Sequence, residues 1–530
     1  MTVLRRAPVW VLSAVVALVL LHVLVAPLYG PYRYDRTHAA VAAALFVVAL
    51  AAAAWGVHRL APWLEQHRWV RRGLVAAHLV ALVVVQYTIG TAIAVPPGFD
   101  AGIVHTIGST FALELPLGAG LADYVAAYPN NWLLIDVLHH WYDLWLGLGG
   151  QDLLTAAIVL NSVALTSSVL LAYLTARRMS RPATAYVLLG LSWIFIGLSP
   201  WVAVPYSDTL AMPFTAVVLY LFSVERTTRR ATWWRALLWF TMAATGLVGY
   251  HVKPTAVFVL VAVVLVALVA TRPTRSTALA GSAYVGAALV GVVLASVAVA
   301  SATDGLRARA ADLDPAFRLD VSHFLKMGAQ AKPGPHNDYY GVYAEDDIAE
   351  TRTFAPGRER IERNVERYLE RVADMGPVGY PTFLWHKAAW FAGDGSFFMW
   401  GEGGMVLDPM PWTATDDLST GIRDWFWIGG DRWPTLFASW QGAWVVVLLL
   451  VALTPLARRD DVGGPVAAAA RISLLALLVF LLLFEARARY LVLYLPHVLL
   501  VAGLTLDSLT GRVAGRRLDG VRRAAGTPAG

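Results

Sequence analysis

Runs of about twenty apolar residues recur along most of this 530-residue chain, and that recurrence constrains its fold more than any other feature. A run of that length crosses the roughly 30 Å of bilayer hydrocarbon as an α-helix, which satisfies its own backbone hydrogen bonds where water cannot. About twelve spans are expected, near 9–29, 39–60, 73–95, 153–176, 183–200, 209–224, 234–250, 254–271, 278–300, 434–456, 466–485 and 490–508. Only 15% of the residues are charged, against about 25% in a soluble domain, and 58% are hydrophobic. The fold expected is an all-α polytopic membrane protein. The first run is too long for a signal-peptide core and reads as a retained span.

Arginine sets the expected orientation. Arg5 and Arg6 precede the first span, and Arg68, Arg71 and Arg72 the third. Arg177, Arg178 and Arg181 follow the fourth, Arg226, Arg229 and Arg230 the sixth, and Arg272 and Arg275 the eighth. Arg458 and Arg459 follow the tenth, and Arg512, Arg516 and Arg517 the last. All fall on one side if both termini are cytoplasmic. The formal charge of +6 then reflects loops near anionic lipid, and nucleic acid is not an expected partner.

Counting Trp132 to Leu148 as a further span would put the later arginines outside. That stretch carries Asp136, His139, His140 and Asp143, so it reads as a helix lying at the outer interface. The expected organisation is two N-terminal helices (1–72), a membrane core (73–300) with a first outer loop (96–152), an extracytoplasmic segment (301–433), C-terminal helices (434–511) and a tail (512–530). Within 301–433, Arg358 to Ala373 reads as an amphipathic helix, and an aromatic run follows from Tyr380 to Trp400. The tail is short, basic and Gly/Ala-rich, and is expected to be disordered.

With this topology the polar residues between spans fall outside. Pro96, Pro97 and Gly98 end the third span, and Asp100 follows at once. A carboxylate at the mouth of a membrane helix is costly to place and marks a functional site by default. Asp100, beside Phe99 and before an apolar helix, suits a general base that takes a proton from an alcohol. Asp208 is the second candidate, with the alternative that Ser207 or Asp208 caps the next helix. Arg487 and Arg489 suit a phosphate ester, because guanidinium matches its oxygens bidentately, and the alternative is pairing with Glu485. Lys253, before Pro254, is a further outer cation.

The histidines, among them His105, are scattered. His139 and His140 are adjacent, so they point about 100° apart on a helix and read as poor joint ligands for one metal. Gly393-Asp394-Gly395-Ser396 reads as a hairpin turn, with Lys387 able to reach the same surface. There is no cysteine, which excludes disulfides and thiolate chemistry. No Walker loop, dinucleotide fingerprint, Gly-x-Ser-x-Gly or His-Glu-x-x-His occurs.

Several stretches, in order, resemble the GT-C class of integral-membrane glycosyltransferases. Pro-Gly-Phe-Asp, ending at Asp100, is similar to the acidic first outer loop that holds the base in that class. Ala-Tyr-Pro-Asn-Asn-Trp, containing Tyr128, Asn130 and Asn131, is similar to the segment leading into the interfacial helix of protein-mannosyl and aminoarabinose transferases. Ala-Tyr-Leu-Thr-Ala-Arg-Arg-Met at 172–179 resembles the end of that family's next span. Pro-Tyr-Ser-Asp-Thr-Leu at 205–210 resembles a stretch of the mannosyltransferases acting on glycolipid anchors. Glu-Ala-Arg-Ala-Arg-Tyr at 485–490 is similar to a late motif of bacterial members. The chain departs from the class in its two extra leading spans and in a first loop with one aspartate where some members have two acids.

The resemblance implies a plasma-membrane enzyme that moves a sugar from a polyprenyl-phosphate donor to a glycan, glycolipid or protein acceptor on the extracytoplasmic face, with inversion. It implies Asp100 as base and Arg487, Arg489 and Lys253 on the donor phosphate. His105, Tyr128, Asn130, Asn131, His139, Lys387, Asp394 and Glu485 would frame donor or acceptor. No cofactor is specified, and a divalent cation is an open alternative. A flippase of lipid-linked glycans and a non-catalytic scaffold are the rival readings, the first opposed by the lack of a repeat between halves.

Overall fold

The computed structural model describes residues 2–25, 34–179, 181–228, 231–270, 275–311, 317–334, 338–398, 410, 412, 414–458 and 463–524. Arg229, Arg230, Arg272, Arg459, the end of the first expected span and Trp400 lie outside the described residues.

The chain is helical almost throughout. In order, α1 is Thr2–Val25, α2 Arg36–Gln66, α3 Arg68–Ala92, α4 Phe99–Ala112, α5 Ala119–Ala127, α6 Trp132–Gly147, α7 Leu153–Arg178 and α8 Pro182–Ser192. There follow α9 Ser207–Leu210, α10 Met212–Thr227, α11 Thr232–Val252, α12 Phe258–Ala270, α13 Arg275–Ala302 and α14 Asp304–Ala311. The remainder comprises α15 Val321–Gly328, α16 Glu345–Arg352, α17 Arg358–Ala392, α18 Asp417–Phe426, α19 Trp433–Ala452, α20 Pro465–Leu483 and α21 Leu495–Ala524. A two-residue antiparallel ladder pairs Ala331 with Tyr340 and Lys332 with Tyr339.

Among the described residues, nine helical stretches are long and apolar enough to cross a membrane. Two more expected spans coincide with the shorter apolar stretches Pro182–Gly197 and Pro254–Val269, and the last with the 21-residue helix α11. Leu45 and Val48 of α2 and Leu289, Val293 and Val297 of α13 are exposed, as suits faces turned to lipid. The most apolar window of Ala488–Gly511 is instead fully buried, so the last span runs through the middle of the bundle. Its start is where the candidate residues meet.

The expected tail is the first correction. Helix α21 continues past Arg512 to Ala524. Ala and Arg there favour helix, Gly weakens it less than proline would, and the first proline of the tail is Pro528. The expected amphipathic helix is present as the first part of α17, which kinks at Gly376. Gly376 has φ 68°, a left-handed conformation that glycine adopts at no steric cost.

Two of the arginines expected on one side, Arg71 and Arg177, share one acid. Glu65 lies 2.7 Å from both Arg71 and Arg177 and accepts from the Tyr186 hydroxyl at 2.9 Å. Glu225 pairs with Arg226 and Arg235.

The segment after α14 lies against the opposite loops. The backbone N–H of Glu485 donates to Phe324 at 3.0 Å, and that of Ala486 donates to Gly341 at 2.8 Å. The Lys387 amine donates to the carbonyls of Gly328, Leu482 and Phe484 at 2.6, 3.1 and 2.6 Å. Lys387 thus ties α17 to the end of α20, three residues before Arg487 begins.

Candidate active site

The charged residues of the site sit at or beside breaks between helical pieces. Lys253 is extended, at φ −150° and ψ 117°, because Pro254 follows and disfavours helix in the residue before it. Arg487 is extended between α20 and a short 3₁₀ stretch, Ala488–Tyr494. Tyr206 is extended before α9. Irregular backbone inside a membrane bundle is tolerated where it lines a cavity or is buried in protein, and broken helices are the usual way of bringing charges to a binding site.

Asp100 lies in the first turn of α4. Phe99 before it has φ 47°, a strained conformation for a residue with a side chain. Gly102 makes the turn possible: a Cβ there would stand 2.1 Å from the Pro97 carbonyl oxygen. The Asp100 carboxylate accepts from the Tyr124 hydroxyl at 3.1 Å, and Tyr124 accepts from the Asn131 amide at 2.8 Å. Asn130 donates to Asn131 at 3.3 Å, and the Tyr128 ring stacks, tilted, on Tyr124 at 4.7 Å. The tyrosine–asparagine stretch thus holds Asp100 through Oδ1, whereas Arg489 approaches Oδ2.

Arg489 lies between two acids. Its Nη2 is 3.5 Å from Asp100 Oδ2 and its Nε is 3.7 Å from Asp208 Oδ2. The second oxygen of Asp208 is 2.6 Å from Lys253 Nζ. The rings of Tyr206 and Tyr490 lie 5.2 and 5.4 Å from the Arg489 guanidinium, and Lys253 stands 4.0 Å over Tyr490. Arg487 is at the edge, 3.6 Å from Glu485 and 5.8 Å from the Phe398 ring.

Burial pushes the Glu485 carboxyl up to about 7, against Arg489, which pulls it down. Burial pulls Lys253 down to about 8, with Asp208 opposing.

The structure therefore brings together Asp100, Asp208, Lys253, Arg487, Arg489 and Glu485 from four separate loops. The alternative reading of Asp208 as a helix cap is not what is found. The residue flanking α9 is Tyr206, and the Asp208 carboxylate faces Lys253 and Arg489. The carboxylates of the cluster face cations, so this donor set does not fit a divalent cation. Glu485 with Arg487 is the internal pair foreseen as the alternative for that arginine, whereas Arg489 is directed at the two aspartates.

Other candidates lie elsewhere. His105 is one turn along α4 and is 2.7 Å from the Tyr142 hydroxyl. Asp394 accepts from the backbone N–H groups of Ser396 and Phe398 and from the Ser396 hydroxyl, which makes it the organiser of a buried turn. Gln441 holds the same turn through Gly393 and Gly395. Lys387 is taken up by its three carbonyls and does not reach that turn.

His139 and His140 are the second correction. Despite adjacent backbone positions, their rings stack at 4.7 Å and 21°. The imidazoles reach beyond Cβ far enough to lean together. Tyr124, Tyr206 and Tyr490 are the site neighbours not singled out from sequence. Tyr124 carried a signal, because it lies four residues before Tyr128 and so one turn away.

A bundle of apolar helices whose broken ends gather six charged groups defines a polytopic integral membrane protein with a polar cluster at one end of its central span. The chain belongs to the family described as conserved hypothetical integral membrane protein, whose model matches residues 10–510. No curated protein matches the chain. Among solved structures it is similar to the crystal structure of ArnT from Cupriavidus metallidurans bound to undecaprenyl phosphate. The identity is 14%, the match covers 82% of this chain and 78% of that one, and the TM-score is 0.31.

Proposed function

We propose that this protein is a membrane glycosyltransferase that uses a polyprenyl-phosphate-linked sugar on the extracytoplasmic face of the plasma membrane. The observation that carries the reading is the convergence of Asp100 with Arg489 and Lys253 at the start of the last span. Asp100 is the reachable acid: its side chain is 34% exposed, against 0% for Asp208. Asp100 and Arg489 also lie in two of the stretches that carry the sequence resemblance.

In this reading an acceptor hydroxyl approaches Asp100. The carboxylate takes the hydroxyl proton as the oxygen attacks the anomeric carbon. The bond from that carbon to the lipid phosphate oxygen breaks, with inversion, and its electron pair leaves with the phosphate. Arg489, Lys253 and Arg487 stabilise the charge that develops there, as pre-placed cations do in a site shielded from water. Asp208 keeps Lys253 and Arg489 oriented before the donor arrives. The apolar grooves between spans hold the polyprenyl chain.

The test is sugar transfer from a polyprenyl-phosphate donor by the full chain in liposomes. General-base catalysis is typically worth about 10²–10⁴-fold, so Asp100→Asn should lower turnover by that order while leaving donor binding in place. Unchanged turnover in Asp100→Asn, with Asp208→Asn folded but inactive, would move the base to Asp208. Normal turnover in both would end the proposal, and net movement of an unaltered lipid-linked glycan across the bilayer would favour a flippase.

A further inference from the structure

At the far end of α4 from Asp100 lies a second polar cluster that the proposed reaction does not use. Eleven residues of helix, roughly 16 Å, separate Asp100 from Phe111, whose ring touches His139 of α6 at 5.8 Å between centroids. There Asp136, His139 and His140 occupy positions i, i+3 and i+4 of one helix, which puts them on one face. Their ligand atoms, one from each residue, all lie within 4.8 Å of one another, and one ring of the stacked His139–His140 pair turns for both nitrogens to face a common ion.

We propose that Asp136, His139 and His140 form a binding site for a divalent transition ion of the zinc class. Imidazole nitrogen with a carboxylate is the donor set such ions prefer. Bonds of roughly 2.0–2.1 Å at tetrahedral angles put ligand atoms roughly 3.4 Å apart. Asp136 Oδ1 and His140 Nε2 are already 3.6 Å apart. Asp143 completes the arrangement from outside the three, with Oδ2 at 3.1 Å from His139 Nε2 and 3.8 Å from His140 Nδ1. A carboxylate on a ligating histidine is the usual means of fixing ring orientation and raising basicity.

Three protein ligands leave a fourth position. The cluster borders a groove of about 400 Å³, lined also by Phe111, Glu114, Leu115, Ala302, Gly305 and Leu306. Glu114 is the other carboxylate of that groove, and it holds a left-handed φ of 53°, a strained conformation for a residue with a side chain. Water takes the fourth position, which opens on the groove that Glu114 also lines. His140 is 68% exposed and Asp136 15%, so the ion reaches the cluster from solvent and finds an anchored carboxylate beneath.

The test uses the tag-free full chain in detergent, stripped with chelator and titrated with Zn²⁺ by competition against a chromophoric chelator. Co²⁺ absorption then reports coordination geometry. The wild type should bind one Zn²⁺ that Asp136→Asn, His139→Gln and His140→Gln each weaken by at least about tenfold, with Asp143→Asn weaker by about 10–100-fold as an outer-shell partner. Co²⁺ should give the intense visible bands of a four-coordinate ion. Equal Zn²⁺ affinity and stoichiometry in the wild type and in His140→Gln would overturn the site, as would no micromolar binding by the wild type. His140 is largely exposed, so that variant keeps the test open if the others fail to fold.

Discussion

Arg489 and Asp100 are 389 positions apart in sequence, and the arginine Nη2 stands 3.5 Å from the aspartate Oδ2. That separation exceeds the roughly 2.7–2.9 Å of a charge-assisted hydrogen bond, and so does the 3.7 Å from Arg489 Nε to Asp208. The guanidinium stands within ion-pair distance of both acids, and its planar fork matches phosphate oxygens as it matches carboxylates. Arg487, by contrast, faces Glu485 at the edge of the cluster. Arg489→Lys should therefore raise the KM for the lipid donor and lower kcat together, because lysine keeps the charge and loses the planar fork. Arg487→Lys should be the milder change. Equal donor kinetics in the two variants would remove the distinction between them.

The Asp208–Lys253 pair is buried on both sides, at 0% and 8% exposure. Removing one partner of such a pair leaves an uncompensated charge and typically costs about 3–5 kcal/mol. Asp208→Asn and Lys253→Met should each lower the thermal unfolding temperature strongly in detergent. The double variant should lose less than the sum of the two, because the charges interact directly. Strictly additive losses would mean that the two residues stabilise the fold independently.

Gly102 controls where Asp100 points. A methyl group at 102 would stand 2.1 Å from the Pro97 carbonyl oxygen, which is backbone and cannot swing aside. Gly102→Ala should displace the Pro96–Gly98 turn, lower kcat, and leave donor binding by Arg489 and Lys253 largely intact. A KM effect with unchanged kcat would place Gly102 in donor binding instead.

Much of this cluster was legible in the chain because charges are expensive at the ends of apolar runs. Asp100, Asp208, Lys253 and Arg489 stand out on that ground alone, and topology puts them on one side. What sequence does not carry is which charge faces which. Ser207-Asp208 reads equally well as a cap, since the same short polar side chains serve both ends, and only the position of Lys253 decides. Tyr124 and Tyr206 look like ordinary aromatics of a membrane interface until Asp100 and Arg489 are beside them. Lys387 resembles a surface cation, but its amine is enclosed by carbonyls from α15 and the end of α20. The stacking of His139 on His140 depends on side-chain rotamers, which the 100° step between neighbouring helix positions does not specify. The helical course of 512–524 is not legible in a basic, Gly/Ala-rich composition, because composition reports on packing potential more than on local propensity.

Donor binding should depend on pH, with a sign that two groups share. Glu485 has its carboxyl raised to about 7 by burial, and the charged groups near it are Arg487, Arg489, Asp100 and Lys253. Lys253 has its ammonium lowered to about 8 by burial, with Asp208 opposing and Arg489 adding to the fall. At pH 6 Glu485 is neutral and Lys253 charged. At pH 9 Glu485 is ionised and Lys253 neutral, so the cluster is more negative by both titrations. A phosphodiester donor keeps one negative charge throughout that range, and its affinity should fall as pH rises through 7 and then 8. Stability follows each group separately. The raised Glu485 carboxyl contributes stability that is present below its ordinary value and lost as pH rises through about 7, and the lowered Lys253 contributes stability above its ordinary value that is lost as pH falls through about 8. Glu485→Gln should remove the lower step in donor affinity and leave the upper one. The measurement is donor Kd from pH 6 to 9 in wild type and Glu485→Gln. A wild-type affinity that is flat or rises with pH would sink the assignment of these residues to the donor phosphate.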